Sequence, residues 1–382
     1  MLSRTIKKVI KKSVEKPLNL AGYDLKLIDA KPLRTAVIYE IKKRHKDGKL
    51  SLVKIKEIAR EKKYKDLLNA LKSYQNGNRI TWKQLKILSS IMPYIDDNCL
   101  YENILNIFDS KIQTINGDNP EKTSFVGIGG GTDTLHSSRK IQLKEHILFE
   151  KIYKKDSTAL ENIKWFTKNI KDNLNHEFVR VPEIYYIKEG NNLAAVYYDF
   201  LKIDPIAQNQ AIDRIVDLSM YFYNLKLPKI TQDNMFIRDY YSSRPHNIIS
   251  WCAREYNENS MQDVSELILS LEKKITNFKR RFSHGDLFKG NLGKYNYVID
   301  WDECGFNPPG YDIAKGLSFL CLWDNINEFE NFLKEKCINA VGKSNFDEFL
   351  FSSIYFHFIF YSLNRRGGDN FRFALYDRLL HW

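Results

Sequence analysis

Three polar residues in the second half of the chain stand at a spacing that could carry out chemistry. Asp286 follows directly after His284-Gly285, Asn291 comes five residues later, and Asp300 ends the short β-like run Tyr297–Ile299. Transfer of a phosphoryl group to a hydroxyl requires a carboxylate that faces the acceptor, together with an amide and a second carboxylate that hold magnesium. These residue types at this spacing therefore indicate phosphoryl transfer.

An alternative interpretation is that the same side chains only hydrogen-bond the backbone of a turn. A His-Gly-Asp tripeptide alone would be a weak signal. Here it is followed by an asparagine at the required offset, by a strand-terminal aspartate and by Gly310-Tyr311-Asp312. The complete set favours the chemical interpretation over the turn.

The order His-Gly-Asp, then Asn291, then Ile299-Asp300-Trp301-Asp302 resembles the aminoglycoside phosphotransferase and choline kinase family. This family is a small-molecule branch of the kinase fold, whose protein kinase members use the related spacing H-R-D-x-x-x-x-N. The resemblance implies an α+β, bilobal protein kinase-like fold, with a small antiparallel-sheet N-lobe and a mainly helical C-lobe. It also implies ATP and Mg²⁺ as cofactors, with ATP bound between the lobes.

The resemblance assigns roles to the residues of this stretch. Asp286 would accept or orient the substrate hydroxyl, and His284 would brace the loop beside it. Asn291 and Asp300 would hold Mg²⁺ across the β- and γ-phosphates, and Asp312 resembles the supporting aspartate of the family. Asp286 and His284 are thus the predicted catalytic residues, and Asn291 and Asp300 the predicted metal ligands.

A second group of residues, upstream of this stretch, is predicted to contact the nucleotide. Its members are Gly129, Gly130, Gly131, Lys151, Glu161, Tyr198 and Phe200. Glycines between two strands let backbone amides approach phosphates without a Cβ in the way, although a glycine-rich hairpin is also a common turn. Tyr198 and Phe200 fall where the hinge of the family binds adenine through backbone groups, so their side-chain identity carries little information.

Lys151 is the predicted phosphate-binding lysine. In an alternating strand it shares one face with Ile147 and Phe149, so its ammonium group would extend from an apolar wall and could contact the α- and β-phosphates. Lys144 and Lys154 compete for this role, and a solvated lysine on an edge strand is the alternative. Glu161, in the helix that follows, would orient Lys151. A first-turn glutamate favoured by the helix dipole fits nearly as well.

The sequence divides into three regions. Residues 1–115 read as a basic helical N-terminal region, which the family resemblance does not cover, 116–201 as the kinase-like N-lobe and 202–382 as the C-lobe. Residues 1–100 contain 24 Lys and Arg against 10 Asp and Glu, whereas the remaining residues contain 35 against 37. The net charge of +12 therefore belongs to the N-terminal region and says little about the substrate.

The N-terminal basicity suggests two partners, each with a plainer alternative. Residues 2–16 form a basic amphipathic pattern that could lie on an anionic membrane surface, but a terminal helix packed on its own protein is favoured. Nucleic-acid binding is not favoured, because no recognition helix stands out. Five cysteines without a CxxC pair and no long apolar run predict a reduced, cytoplasmic protein, with contact at the inner face of a membrane as an option.

The predicted function is ATP- and Mg²⁺-dependent transfer of the γ-phosphate to a hydroxyl of a small molecule. A sugar or glycan intermediate is the favoured acceptor, because aromatic residues are plentiful ahead of Asp286 and the catalytic part is not markedly acidic. A choline- or aminoglycoside-type cationic acceptor is the first alternative. The second is a nucleotide-binding regulator that has the fold without turnover, against which the presence of Asp286, Asn291 and Asp300 speaks.

Overall fold

The computed structural model describes residues 39–41, 43–44, 48–96, 99–109, 122–128, 133–144, 146–201, 204–227, 270–275, 277–320, 322–363 and 369–382. The chain forms two compact units. The sheet unit comprises the described residues of Lys26–Thr167 and Pro182–Lys202, and the helical unit those of Lys168–Val181 and Ile203–Trp382.

The sheet unit is built around five antiparallel strands. They are β1 (Lys122–Ile128), β2 (Ser137–Gln142), β3 (Ile147–Lys154), β4 (Ile184–Glu189) and β5 (Leu193–Asp199), in the spatial order β1-β2-β3-β5-β4. Side chains alternate between the two faces of a strand. On β3, Leu148, Glu150 and Ile152 are buried on one face, whereas Phe149 and Lys151 are half-buried on the other.

Between residues 52 and 109, of which the structure describes all but 97 and 98, four α-helices precede the sheet. They are α1 (Leu52–Glu61), α2 (Lys65–Gln75), α3 (Trp82–Ile91) and α4 (Leu100–Asp109). Thr81 followed by Gln84 three residues later predicts a capping box ahead of Trp82. The structure confirms it, because the Thr81 side chain accepts from the Gln84 N–H while the Gln84 side chain accepts from the Thr81 N–H. The apolar faces of these helices form one core with the sheet residues Ile141, Leu148 and Ile152. One face of the sheet is thus covered by the basic N-terminal region.

A buried ion pair lies at this junction. The Glu150 carboxylate, fully buried on β3, accepts hydrogen bonds from Arg139 Nε and Nη2 at 2.8 Å each. It also accepts one from the Tyr101 hydroxyl of α4 at 2.6 Å. Because a buried charge requires partners, this network fixes α4 against β2 and β3.

The remaining part of the sheet unit is helix α5 (Thr158–Asn169) and the β4–β5 hairpin. Ser157 caps α5 as predicted, since its hydroxyl accepts from the Leu160 N–H at 3.3 Å. The hairpin turns at Gly190, where an added Cβ would overlap the Asp109 carboxylate. Asp109 accepts from the backbone N–H of Asn192 at 2.8 Å, so α4 also holds this hairpin.

The helical unit carries the motif residues. Its elements are α6 (Gln208–Tyr223), the short antiparallel pair β6 (Arg281–Ser283) and β7 (Gly305–Asn307), α7 (Tyr311–Ser318), α8 (Ile326–Val341), α9 (Phe346–Leu363) and α10 (Asp369–Leu380). The largely apolar sequence Phe346–Leu363 predicts a buried helix, and α9 has these bounds. All eight residues of α7 are buried. The backbone of α7 comes so close to its neighbours that a Cβ on Gly316 would crowd Ile215 and the Leu287 carbonyl oxygen.

The predicted fold class is confirmed: the chain is an α+β protein with a kinase-like fold, and α1–α4 are helical as expected. Two local expectations differ from the structure. The sequence Arg180–Tyr186 predicts the first strand of a hairpin, but β4 begins only at Ile184, and Arg180 forms an isolated bridge with Tyr297. Tyr297–Ile299 is no strand, because the chain is paired there only through single bridges. The boundaries 1–115, 116–201 and 202–382 remain predictions.

Candidate functional site

The site begins where β6 ends, at the loop Ser283–Asn291. Gly285 has a φ of +81°, a conformation that glycine adopts without strain. A Cβ at this position would overlap the backbone carbonyl oxygen of Glu303. The glycine of the His-Gly-Asp motif is therefore required by the close approach of the segment that follows Asp300.

His284 is fully buried and serves as an internal brace of the loop. Its Nε2 lies 3.0 Å from the Ile299 carbonyl oxygen, and its Nδ1 accepts from the Asp286 N–H at 3.2 Å. This network assigns the proton to Nε2. Burial lowers the pKa of His284 to about 4, so the ring is neutral near pH 7. A neutral imidazole that bridges Asp286 to Ile299 fixes the distance between the two halves of the motif.

Asp286 and Asn291 are brought together as the motif predicted. The Asn291 amide donates from Nδ2 to the Asp286 carbonyl oxygen at 2.8 Å and to its Oδ2 at 3.2 Å. Burial raises the pKa of Asp286, and nearby Glu303 and Asp300 act in the same direction, whereas Lys315 opposes them. A carboxylate with a raised pKa accepts a proton more readily. The role of Asp286 as the group that receives a hydroxyl proton stays a prediction.

Asp300 lies next to Asn291 because the chain folds back between them. Leu292 and Val298 form an antiparallel bridge, and the Ile299 N–H donates to the Asn291 carbonyl oxygen at 3.0 Å. Asp300 then adopts φ +67° and ψ +60°, a left-handed conformation that non-glycine residues seldom adopt and that clusters at functional sites. This turn brings the backbone of Asp300 beside the predicted amide ligand.

Asn291 and Asp300 fit the magnesium that the family resemblance implies. Mg²⁺ prefers oxygen ligands and is commonly bound by one or two carboxylates plus substrate phosphates. An amide and a carboxylate on adjacent backbone segments match that donor set. In the part of the chain that the structure describes, no group of three or more His, Cys, Asp or Glu side chains could hold a metal alone. Phosphate oxygens would have to complete the shell. Asp302, buried two residues further, has no role assigned by its position.

The loop is anchored by helix α7. The Asp312 carboxylate accepts from the backbone N–H of His284 at 2.7 Å and from that of Gly285 at 2.9 Å. Burial raises the pKa of Asp312 to about 7, although both backbone hydrogen bonds act in the opposite direction. Asp312 thus supports the loop through its backbone, which gives physical content to the supporting role that the sequence suggested.

Lys315, one turn further along α7, contacts the site and was not predicted. Its Nζ lies 2.5 Å from Asp286 Oδ1, 2.8 Å from Glu303 Oε2 and 2.9 Å from the Gly285 carbonyl oxygen. The spacing from Asp312 places both side chains on the same face of α7. That spacing was the available signal, but a lysine within an apolar helix segment gave no indication that it would be buried against the motif.

Lys151 and Glu161 lie in the sheet unit. Lys151 is on the half-buried face of β3, with its Nζ 5.6 Å from the centre of the Tyr153 ring. Glu161, in the first turn of α5, accepts from Lys164 Nζ at 3.1 Å, and Lys164 also lies 2.7 Å from Glu189. The Lys151–Glu161 pair therefore stays a prediction.

Of the other predicted nucleotide contacts, Tyr198 and Phe200 lie in the described residues. Gly129, Gly130 and Gly131 lie outside the described residues, as do residues 2–16. Tyr198 is on β5, and its hydroxyl is 3.2 Å from that of Tyr153. The Phe200 N–H donates to the Ile147 carbonyl oxygen at 2.9 Å, so an adenine contact at this hinge would need other backbone groups. None of the helices in the described ranges has the length and hydropathy of a membrane span.

Comparison with known proteins supports the resemblance. Residues 174–348 match the sequence profile of the phosphotransferase enzyme family. The resemblance inferred from the motif is thereby confirmed for a segment that contains all four motif residues. No curated protein sequence matches the chain.

Solved structures that are similar to the chain include the following two. The first is the crystal structure of spectinomycin phosphotransferase APH(9)-Ia in complex with ADP and spectinomycin. Its sequence is 16% identical to this chain, the alignment covers 69% of this chain and 90% of the spectinomycin phosphotransferase chain, and the TM-score is 0.43. The second is choline kinase LicA from Streptococcus pneumoniae, which is 15% identical to this chain. The alignment covers 69% of this chain and 93% of the choline kinase chain, with a TM-score of 0.41.

Proposed function

Since residues 174–348 match the phosphotransferase enzyme family, we propose that the chain transfers the γ-phosphate of ATP to a hydroxyl of a small molecule, with Mg²⁺ as cofactor. The observation that carries the proposal is the contact between Asp286 and Asn291, with Asp300 placed beside Asn291 by the Ile299–Asn291 hydrogen bond. Asp286, the proposed base, and Asn291 and Asp300, the proposed metal ligands, thus lie on adjacent backbone segments.

The residues would divide the work as follows. Asp286 would orient the acceptor hydroxyl and take its proton as the bond to phosphorus forms. Bound Mg²⁺ would neutralise charge on the β- and γ-phosphates, and Asn291 and Asp300 would hold it there. Neutral His284 would keep Asp286 at a fixed distance from Ile299. Lys151 would support the nucleotide and Glu161 would orient Lys151, roles that rest on the family resemblance alone.

The favoured acceptor is a sugar or glycan intermediate. The preference rests on the aromatic residues that precede Asp286 in the sequence. Of these, Tyr223 is buried and packs on Phe349 with ring centres 6.0 Å apart, so it belongs to the core. Tyr240, Tyr241, Trp251 and Tyr256 lie outside the described residues.

A specific observation favours a cationic acceptor such as an amino alcohol or aminoglycoside as the second candidate. The segment 284–315 contains five Asp and Glu but three Lys, so the surroundings of Asp286 are locally acidic even though the catalytic part as a whole is not. Excess negative charge attracts a cation, which can be the substrate as well as Mg²⁺.

Two proposals about the setting of the protein also remain. We place it in the cytoplasm, because its cysteines form no disulfide or zinc pattern. The basic amphipathic pattern of residues 2–16 also allows peripheral contact of this segment with the inner face of a membrane. Deletion of residues 1–16 should then abolish flotation with anionic liposomes, whereas unchanged flotation would exclude this segment as the membrane contact.

The proposed function is tested by Mg²⁺-dependent ATP consumption with a panel of sugars, amino sugars, choline-like alcohols and aminoglycosides. Turnover with one acceptor class is expected, and that class decides between the two candidates. Binding of Mg-ADP without turnover on any acceptor would favour the regulator without catalysis. Absence of nucleotide binding would refute the assignment altogether.

A further inference from the structure

Lys315 is a buried cation whose three N–H donors all have oxygen partners. Its side chain is 5% exposed. The partners are Asp286 Oδ1, Glu303 Oε2 and the Gly285 carbonyl oxygen, all within 2.9 Å of Nζ. An ammonium group has three donors and no acceptor, so this side chain is used completely and its position is fixed from three directions.

These partners come from both sides of the predicted site. Gly285 and Asp286 belong to the loop after β6, whereas Glu303 follows the turn that carries Asp300. Lys315 therefore links the segment of the base to the segment of a metal ligand. Because α7 is buried along its whole length, the lysine backbone is held rigidly and the link cannot relax into solvent.

Helix α7 holds the loop in two complementary ways. Asp312, an acceptor, binds the backbone N–H groups of His284 and Gly285. Lys315, a donor, binds the Gly285 carbonyl oxygen and the Asp286 side chain. Asp312 thus sets the path of the loop, and Lys315 sets the direction of the Asp286 carboxylate within it.

Both oxygens of the Asp286 carboxylate have a partner that fixes their position. Oδ1 faces Lys315 at 2.5 Å and Oδ2 faces the Asn291 amide at 3.2 Å. Without Lys315, Oδ1 would have lost its cation while the Glu303 carboxylate remained in the same pocket. Like charges repel at short range in a poorly solvated site, so Asp286 would turn away from its present orientation.

We infer that Lys315 is a positioning residue, which orients Asp286 for the acceptor hydroxyl by offsetting the charge of Glu303. The inference rests on the proposed function. A purely structural role would make a different prediction, because an apolar side chain of similar length could pack in the same place, where the Phe360 ring centre lies 5.5 Å from Nζ.

The first test is Lys315→Met, which keeps the length of the side chain and removes the charge. We expect kcat to fall about 100-fold, the size of effect that misplacement of a reacting group by about 1 Å produces. The KM for ATP should change little, because the three oxygens that Lys315 Nζ contacts belong to Gly285, Asp286 and Glu303, none of which is a predicted nucleotide ligand. Arg378→Met is the matched control. It removes an ion pair of 2.6 Å to Glu330 in the same unit, and kcat should stay as in the wild type.

The second test separates charge compensation from packing. In Lys315→Met the Glu303 carboxylate is left beside Asp286 without a counter-charge, so adding Glu303→Gln should recover about tenfold in kcat, a coupling of ordinary size for residues in contact. A structural role predicts no such recovery, because the double variant disturbs packing at two positions. If Lys315→Met does not fold, Lys315→Arg keeps the charge with a different geometry and should reduce kcat about tenfold with unchanged Mg-ADP affinity.

The outcomes distinguish the two proposals. Wild-type turnover with equal kcat in a folded Lys315→Met, or in Lys315→Arg where Met does not fold, would overturn only the role of Lys315. A double variant no faster than the single variant would overturn the charge-compensation argument. Absence of wild-type turnover with every acceptor would overturn the proposed function, and the role of Lys315 with it.

Discussion

The Arg139–Glu150 pair allows the contribution of the N-terminal helices to the sheet to be measured. Arg139→Met would remove two of the hydrogen bonds that Glu150 receives, those from Nε and Nη2, and leave the Tyr101 hydroxyl. The Glu150 side chain is 0% exposed, so its charge cannot be hydrated instead. Loss of one partner of a buried pair costs about 3–5 kcal/mol, and we expect a loss of that size in the free energy of unfolding of the sheet unit.

The assay is urea unfolding combined with hydrogen exchange. Because the chain forms two compact units, a single two-state transition is not assumed, and amide exchange in β2, β3 and β5 reports the sheet unit directly. Lys83→Met is the control. It removes a 2.9 Å ion pair to Asp66 in which both side chains are more than half exposed, and such pairs contribute about 0–1 kcal/mol.

A second variant tests the cause. Arg139→Met with Glu150→Leu removes both charges, and replacement of a buried pair by apolar side chains is often neutral or stabilising. The double variant should therefore recover part of the lost stability, but not all of it, because the buried Tyr101 hydroxyl loses its Glu150 acceptor. An Arg139→Met protein within about 1 kcal/mol of the wild type would refute the reasoning. Since Lys151 is the next residue on β3, weaker Mg-ADP binding should accompany the destabilisation.

Two further predictions follow from the helical unit. Gly285→Ala should lower kcat about 100-fold, because a Cβ would overlap the Glu303 carbonyl oxygen and the loop would have to move; kcat equal to that of the wild type would contradict the required close approach. Burial lowers the pKa of His357 to about 3, so its contribution to stability is present above about pH 6.5 and is lost as the pH falls toward 3. Between about pH 7.5 and about pH 5, the free energy of unfolding of the wild type should therefore fall by up to about 2 kcal/mol more than that of His357→Gln, as measured by urea unfolding. An equal pH dependence of both proteins would contradict this expectation.

Local signals in the sequence predicted much of the fold. The capping box of Thr81 and Gln84 is encoded within four consecutive residues, and the apolar run Phe346–Leu363 sets both ends of α9. The motif around Asp286 also predicted the contact with Asn291, because Asn291 is the fifth residue after Asp286 and the loop is short. In each case the interacting groups lie close together in the chain.

Contacts between distant segments were beyond prediction. Glu150 shares a strand face with Leu148 and Ile152, so alternation indicates a charge on a buried face that requires a partner. Nothing in the pattern identified Arg139 on the next strand, or Tyr101 in a helix, as that partner. The same applies to Lys315. The sequence indicated that Lys315 lies three residues after Asp312, but tertiary packing determines that Asp286 and Glu303 approach its ammonium group.

The central element of the proposed function is Asp286 as the group that receives the acceptor proton. The decisive measurement is kcat of Asp286→Asn with the best acceptor, beside Mg-ADP affinity, with Asp204→Asn as the control for an exposed aspartate of the same unit. We expect Asp286→Asn to lose about 100-fold or more in kcat with near-unchanged Mg-ADP affinity. The control Asp204→Asn should keep wild-type activity. A kcat within a few-fold of the wild type in Asp286→Asn would contradict this role of Asp286.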